Sequence, residues 1–321
     1  MSRPETPPVA AAASQERGNL LVGYAFAAIG AVLFSAKGVV IKLAYEEGVN
    51  AETLLALRML LSLPVYFAIG GLSVRDRLRR GNALPGMPLL VKALLVGALG
   101  YWFASYMDFL GLQLISAQFE RLILFTYPLF VVVFGALFFS QPVQGRALFA
   151  FAISYAGLAL IFTAKFNTLG SDVALGAALI VLAAMSFALY QLFAKGLIGQ
   201  IGPRLFTCIA MTGAGVMAIG QFLIVEPVSA LAVTPTVLAY GVLLAIGATV
   251  IPSFFLNAAL QRISAQANAT IGTLSPVVTI VMAVFILGEA LTGRDMIGTA
   301  LVIAGVGWFT LGGRKSRPAA G

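Results

Sequence analysis

Five charged side chains stand inside stretches that are otherwise apolar: Lys37, Arg58, Asp108, Glu120 and Arg121. A charge at membrane depth costs at least about 2.5 kcal/mol, so it normally faces a cavity or a partner, and its default reading is functional. Arg58 and Arg121 can bind a carboxylate, because the planar guanidinium fork engages both oxygens at once. Asp108 or Glu120 can bind an amine or carry a proton. The five therefore read as a gate or a substrate-binding cluster. The competing reading is peripheral. Lys37 is close to a span end, where its long stem can reach headgroups, and Glu120 and Arg121 follow a hairpin and can face water.

Polar and aromatic residues extend the candidate set. Tyr101, Ser105 and Asp108 recur at i, i+4 and i+7 and share one helical face. Trp102, Tyr106 and Phe109 form the adjoining stripe. Trp and Tyr usually sit at membrane interfaces, as Trp308 does near a span end, but Tyr101 and Trp102 fall mid-span. A polar face beside an aromatic stripe suits a cavity for an amphipathic substrate, although such a stripe also serves plain core packing. Tyr190 and Gln191, Ser253 and Asn257, and Asn268, Thr273 and Ser275 are further cavity candidates. Pro128, Pro252 and Pro276 fall within spans, where proline frees a carbonyl and kinks the helix. They read as hinges or as static kinks. No metal-ligand cluster, nucleophile–base pair or phosphate-binding loop occurs. We therefore expect no cofactor, no metal, no enzymatic activity and no ATP-driven step by this chain alone.

The elements that hold these residues must be membrane helices. The chain is 60% hydrophobic and 10% charged, against roughly 25% charged in soluble domains. A span needs about 20 apolar residues. Ten such stretches are expected, at 20–42, 51–72, 89–112, 115–139, 145–164, 173–195, 204–225, 234–260, 264–287 and 292–312. Residues 1–18 are expected to be a disordered tail, and 313–321 a second tail. Histidine is absent and the only cysteine, Cys208, lies in the seventh stretch, so no intrachain disulfide can form. The net charge of +8 is mainly a topology signal. With ten spans both termini share a side, and that side carries 14 basic residues against three opposite. The positive-inside rule puts it in the cytoplasm. Nucleic-acid binding is not expected.

The chain also repeats itself. Leu112–Gln118 reads LQLISAQ, and 148 positions later Leu260–Gln266 reads LQRISAQ. Pro128 matches Pro276 and Gly157 matches Gly305 in the same register. Earlier pairs, such as Phe34 with Phe187 and Lys42 with Lys195, are 153 apart, and a longer loop at 73–88 than at 226–233 accounts for the difference. Five spans per half makes the repeat inverted. That arrangement allows alternating access around a site between the halves. The five embedded charges break the repeat. Their counterparts are Tyr190, Met211, Leu256, Asn268 and Ala269, none of them charged.

The motifs resemble a family. In each half a proline in the fourth span is followed by a polar hinge, Gly-Arg and a small-residue span with a late glycine. In the second half this reads Ser-Pro-Val-Val-Thr, then Leu-Gly-Glu-Ala-Leu-Thr-Gly-Arg-Asp, then Ala-Gly-Val. This is similar to the EamA domain of the drug/metabolite transporter superfamily, once at 19–164 and once at 173–312. Gln141 stands where the second half has Glu289, a departure from the pattern. The resemblance implies an all-α membrane protein of ten transmembrane helices, in two inverted five-helix repeats around a central cavity. It implies a secondary transporter of small metabolites, with amino-acid exporters of the YddG type a prominent branch. The expected partners are a small-molecule substrate and membrane lipid, with proton coupling possible. The expected location is a bacterial inner membrane. Alternatives are the same fold with a drug, sugar phosphate or nucleotide sugar as cargo, or an uncoupled facilitator or channel.

Overall fold

A computed structural model describes residues 9–140, 145–169, 171–271 and 274–312. Among these residues all regular structure is helical. The expected tail at 313–321, the candidate Thr273 and the departing Gln141 lie outside the described residues. In the first half, α1 (Val9–Ser35) and α2 (Lys37–Glu46) form one rod interrupted at Ala36, followed by α3 (Ala51–Arg79). A third rod joins α4 (Met87–Gly97) to α5 (Ala104–Leu114) through a π-helical segment, Ala98–Phe103. Then come α6 (Ala117–Leu124), α7 (Tyr127–Phe139) and α8 (Gly145–Leu169).

The second half opens with α9 (Ser171–Ile201) and α10 (Pro203–Val225). Its third rod joins α11 (Pro235–Val242) to α12 (Ile251–Arg262), again through a π-helical segment, Leu243–Val250. It ends with α13 (Ala265–Ile271), α14 (Leu274–Leu287) and α15 (Gly293–Gly312). Among the described residues, seven helices are long and apolar enough to cross a membrane, and they fall on the first four and the sixth to eighth expected spans. Shorter apolar helices, Ala152–Thr163 and Ser275–Leu287, fall on the fifth and ninth. Large apolar side chains such as Ile224 and Phe285 are more than four-fifths exposed, a surface that suits lipid and not water.

Two expectations about the ends of elements are corrected. The first helix starts at Val9, inside the segment expected as tail; the run Ala10–Ala13 has the highest helix propensity available. The stretch from 73 to 79, expected as loop, continues α3, because it holds no breaker and ends in Arg77 and Arg79, which favour a helix C-terminus. Arg77 reaches out of this extension and donates to the carbonyl of Ile201 at the end of α9.

The π segments recur between halves, whereas the break at Ala36 has no counterpart in the continuous α9. Pro128 sits in the first turn of α7, after the turn at 125–126; proline has no N–H and clashes with the preceding turn, so a helix restarts there instead of passing through. Pro276 holds the corresponding position in α14. Pro252 is the second residue of α12, one residue past the second π segment. The first π segment has no proline. There Gly100 lets the ring of Tyr190 lie against the backbone, since a Cβ at that position would come within 2.3 Å of the ring. The carbonyl of Leu99 in this segment accepts a bond from Ser186 at 2.8 Å. The break at Ala36 is marked by neither residue type, and it exposes two carbonyls. Arg121 Nη2 donates to Phe34 O at 3.0 Å and Thr279 Oγ1 to Ser35 O at 2.7 Å.

Small residues close the helix contacts, as lipid-embedded packing requires. Ala210, Ala214 and Ala218 are buried on α10. Ala152 and Ala156 on α8 are exposed instead. The close approach there is made by Gly157, where a Cβ would come within 2.5 Å of the carbonyl of Gly298 on α15.

Candidate functional site: a cavity lined by both halves

A cavity lies among α1, α2, α3, the third rod, α6, α7, α9, the second π segment and α12 to α14. Its lining includes Lys37, Arg58, Tyr101, Ser105, Asp108, Arg121, Asn268 and Ser275 from the sequence-predicted set. Phe34, Gly100, Tyr127, Phe187, Thr249 and Leu256 line it as well. Many of these are repeat partners: Phe34 with Phe187, Tyr101 with Thr249, Asp108 with Leu256, and Tyr127 with Ser275. The cavity therefore takes corresponding positions from both halves and, apart from the two phenylalanines, fills them with different chemistry.

The charged residues cluster on one side of it and are buried, not peripheral. Lys37 is 7% exposed, Arg58 2%, Asp108 1%, Glu120 0% and Arg121 5%. Lys37 Nζ meets Asp108 Oδ2 at 2.6 Å, and Arg121 Nε lies 3.8 Å from Glu120 Oε2. The carboxyl groups of Asp108 and Glu120 adjoin each other, which links the two ion pairs. Gly38 leaves room beneath them, since a Cβ there would come to 3.0 Å from Glu120 Oε2. Glu120 itself is not in the lining; it stands behind Asp108 and Arg121. Arg121 spends one Nη on the carbonyl of Phe34, so it also seals the break in the first rod.

Arg58 differs from the other four. Its Nη2 donates to the carbonyl of Tyr101 at 3.3 Å, and its guanidinium lies over the ring of Phe109 with the centroid 5.1 Å away. Its Nε has no hydrogen-bond partner. No carboxylate lies within ion-pair distance of it among the described residues. A buried donor without a partner loses about 1–3 kcal/mol of hydration it does not recover.

Beside the cavity lies a hydrogen-bonded polar layer. Tyr190 donates to Asn257 Oδ1 at 2.6 Å, and its oxygen is 3.3 Å from that of Tyr101. Asn257 Nδ2 donates to Thr207 Oγ1 at 2.9 Å, and Tyr66 and Ser253 share a bond of 2.8 Å. Asn268 Nδ2 donates to Gln191 Oε1 at 3.2 Å, and Ser275 Oγ lies 2.9 Å from Ser35 Oγ. Tyr190, Gln191, Ser253 and Asn257 belong to this layer and not to the lining. The layer ties the first half to the second through Tyr101, Tyr66 and Ser35.

Trp102 and Tyr106 lie away from the cavity. Trp102 Nε1 donates to Gln221 Oε1 at 2.6 Å and Tyr106 donates to Glu52 Oε1 at 3.0 Å. The helical phase predicts two adjoining stripes; Tyr101, Ser105 and Asp108 line the cavity, and of the other stripe only Phe109 turns inward, buried beneath Arg58. The Trp102–Tyr106 stripe turns to α10 and the start of α3. Sequence reading missed Phe34, Tyr127, Phe187 and Thr249. The repeat pairing of Phe34 with Phe187 was the available signal; two phenylalanines in apolar stretches otherwise look like packing.

Glu289 has a role that crosses the halves. Its carboxylate accepts from the backbone N–H of Ala117 at 2.7 Å and of Gln118 at 3.1 Å. It thus caps the start of α6, the helix that carries Glu120 and Arg121, and a carboxylate there also favours the helix dipole.

The comparisons with known proteins agree with this architecture. The EamA-like transporter family matches residues 21–163 and again 174–311. An uncharacterized transporter, YcbK, of Bacillus subtilis (strain 168) is 30% identical over 286 residues, covering 86% of this chain and 88% of that one. A probable amino-acid metabolite efflux pump of Salmonella typhimurium (strain LT2) is 27% identical over 213 residues, 63% of this chain and 70% of that one. A solved crystal structure superposes with a TM-score of 0.64 at 18% identity, over 94% of this chain and 99% of that chain, which shows a shared fold. With its family domain present twice across nearly the whole chain, this protein is an integral membrane transporter, not an enzyme, and belongs to the EamA-like transporter family.

Proposed function

We propose that this chain exports small metabolites, amino acids foremost, across a bacterial inner membrane by alternating access. In this reading ten helices span the membrane as two inverted halves, both termini are cytoplasmic, and the cavity is the translocation site. The observation that carries it is the lining. Repeat-related positions from both halves meet there, and buried charges stand beside aromatic walls. Two inverted halves that exchange conformations would open such a cavity to each side in turn. Pro128 at the break before α7, Pro252, Pro276 and the two π segments are the hinges of this motion. The amino-acid cargo is supported by the printed name of the Salmonella relative, and by the basic groups at the cavity that suit a carboxylate.

The test is uptake of labelled amino acids into liposomes holding the purified protein, with and without a pH gradient. Saturable uptake, competed by related amino acids, is expected. Absence of uptake for every amino acid, by folded protein, refutes this cargo. Dependence on the gradient would make Asp108 and Glu120 the residues to test as proton carriers. A cysteine at Asp76, which is exposed, should react only from the cytoplasmic face; reaction from outside refutes the orientation.

A further inference from the structure

The cavity contains more positive than negative groups, and the excess sits on one residue. Of the five embedded charges, Lys37 is taken by Asp108 and Arg121 by Glu120. If the two adjoining carboxyls share a proton, the positive excess grows. In either state Arg58 remains the cation without a carboxylate. It lines the cavity, one face of its guanidinium is covered by Phe109, and only one bond, to a backbone carbonyl, is made. Nε has no acceptor, and Nη1 has none among the described residues. Arginine stays protonated even when buried, so this is a charged, partly unbonded fork held rigidly at a cavity wall.

Resting on the transport reading above, we infer that Arg58 is the anchor for a carboxylate of the cargo, and that the site selects compounds by their carboxylate and not by their ammonium group. A carboxylate seated on the free edge of Arg58 accepts two parallel N–H bonds and neutralises the excess charge. Each acid, in contrast, already has a cation beside it, Lys37 at 2.6 Å from Asp108 and Arg121 at 3.8 Å from Glu120, so a cargo ammonium there would meet two fixed positive charges. The rest of the cargo meets Phe34, Tyr127 and Phe187, walls that suit an apolar side chain. The cargo class is therefore amphipathic monocarboxylates. Amino acids are members, and so are the 2-oxo and 2-hydroxy acids made from them by removing or replacing the amino group.

Counterflow in proteoliposomes separates these features. Vesicles are loaded with leucine, labelled leucine is given outside, and four competitors are compared: leucine, its 2-oxo acid, leucinamide and isopentylamine. The 2-oxo acid should compete within about threefold of leucine. Leucinamide and the amine, which lack the carboxylate, should be weaker by about ten- to a hundredfold, the usual loss when a charge-assisted bond is removed. Arg58→Met, which copies Met211 at the repeat position, should lose this preference, and Arg58→Lys should recover part of it. Leucinamide competing as well as leucine in the wild type overturns the inference without any variant, and leaves the transport reading intact. Counterflow with no compound at all overturns both.

Discussion

The Lys37–Asp108 pair offers a quantitative check on the charged side of the cavity. The two groups meet at 2.6 Å with side chains 8% and 1% exposed. Two unit charges at that separation attract by about 6 kcal/mol at an effective dielectric of about 20. Removing both from water costs several kcal/mol each, so the intact pair is worth little net, while breaking it strands a buried charge. Asp108→Asn leaves the Lys37 ammonium stranded; Lys37→Met leaves Asp108 beside Glu120. Each single change should destabilise by about 3–5 kcal/mol. The double variant strands nothing, so its cost should fall well below the combined single costs, with a coupling energy of at least about 2 kcal/mol. The assay is equilibrium unfolding by SDS titration in mixed micelles, for wild type, both singles and the double. Additive single costs, with coupling within about 0.5 kcal/mol, would refute the reasoning, since two side chains in contact cannot act independently.

Three other expectations follow from the site. Glu289→Ala removes the acceptor from two backbone donors at the start of α6 and should cost about 1–2 kcal/mol, with Glu289→Gln recovering part; unchanged stability in both would exclude the capping role. Trp102→Ala should lower stability through its lost bond to Gln221 and leave the rank order of competing cargoes unchanged, because Trp102 is not in the lining; a reordered profile in the counterflow assay would place it at the site. Gly100→Ala forces a Cβ into the ring of Tyr190 and should cost about 1–3 kcal/mol by overpacking, whereas the same change at Gly220, where nothing lies within 4 Å, should be tolerated; equal effects would contradict the close approach.

The rods were legible in sequence because membrane helices announce themselves by length and apolarity alone. The repeat added the correspondence between halves, from a seven-residue word and two prolines. Which charges were buried together was not legible. Lys37 and Asp108 are 71 positions apart, and the break at Ala36 that turns α2 toward α5 is marked by no glycine or proline at that position. The two stripes on the third rod were visible as stripes. Which one faces the cavity is decided by the π segment at Ala98–Phe103, which shifts the helical phase, and no residue pattern announces it. Arg58 stood out only as a charge in an apolar stretch; that it lacks an acid partner is a fact of three-dimensional placement.

The most direct test of the central claim, that cargo passes through this cavity between the halves, uses a single cysteine at Phe187 in a Cys208→Ser background. Phe187 lines the cavity from the second half. A small charged thiol reagent is applied to proteoliposomes during counterflow, with and without saturating leucine. Modification should stop transport, and leucine should slow it several-fold by occupying the cavity. Complete modification with transport unaffected would contradict the account.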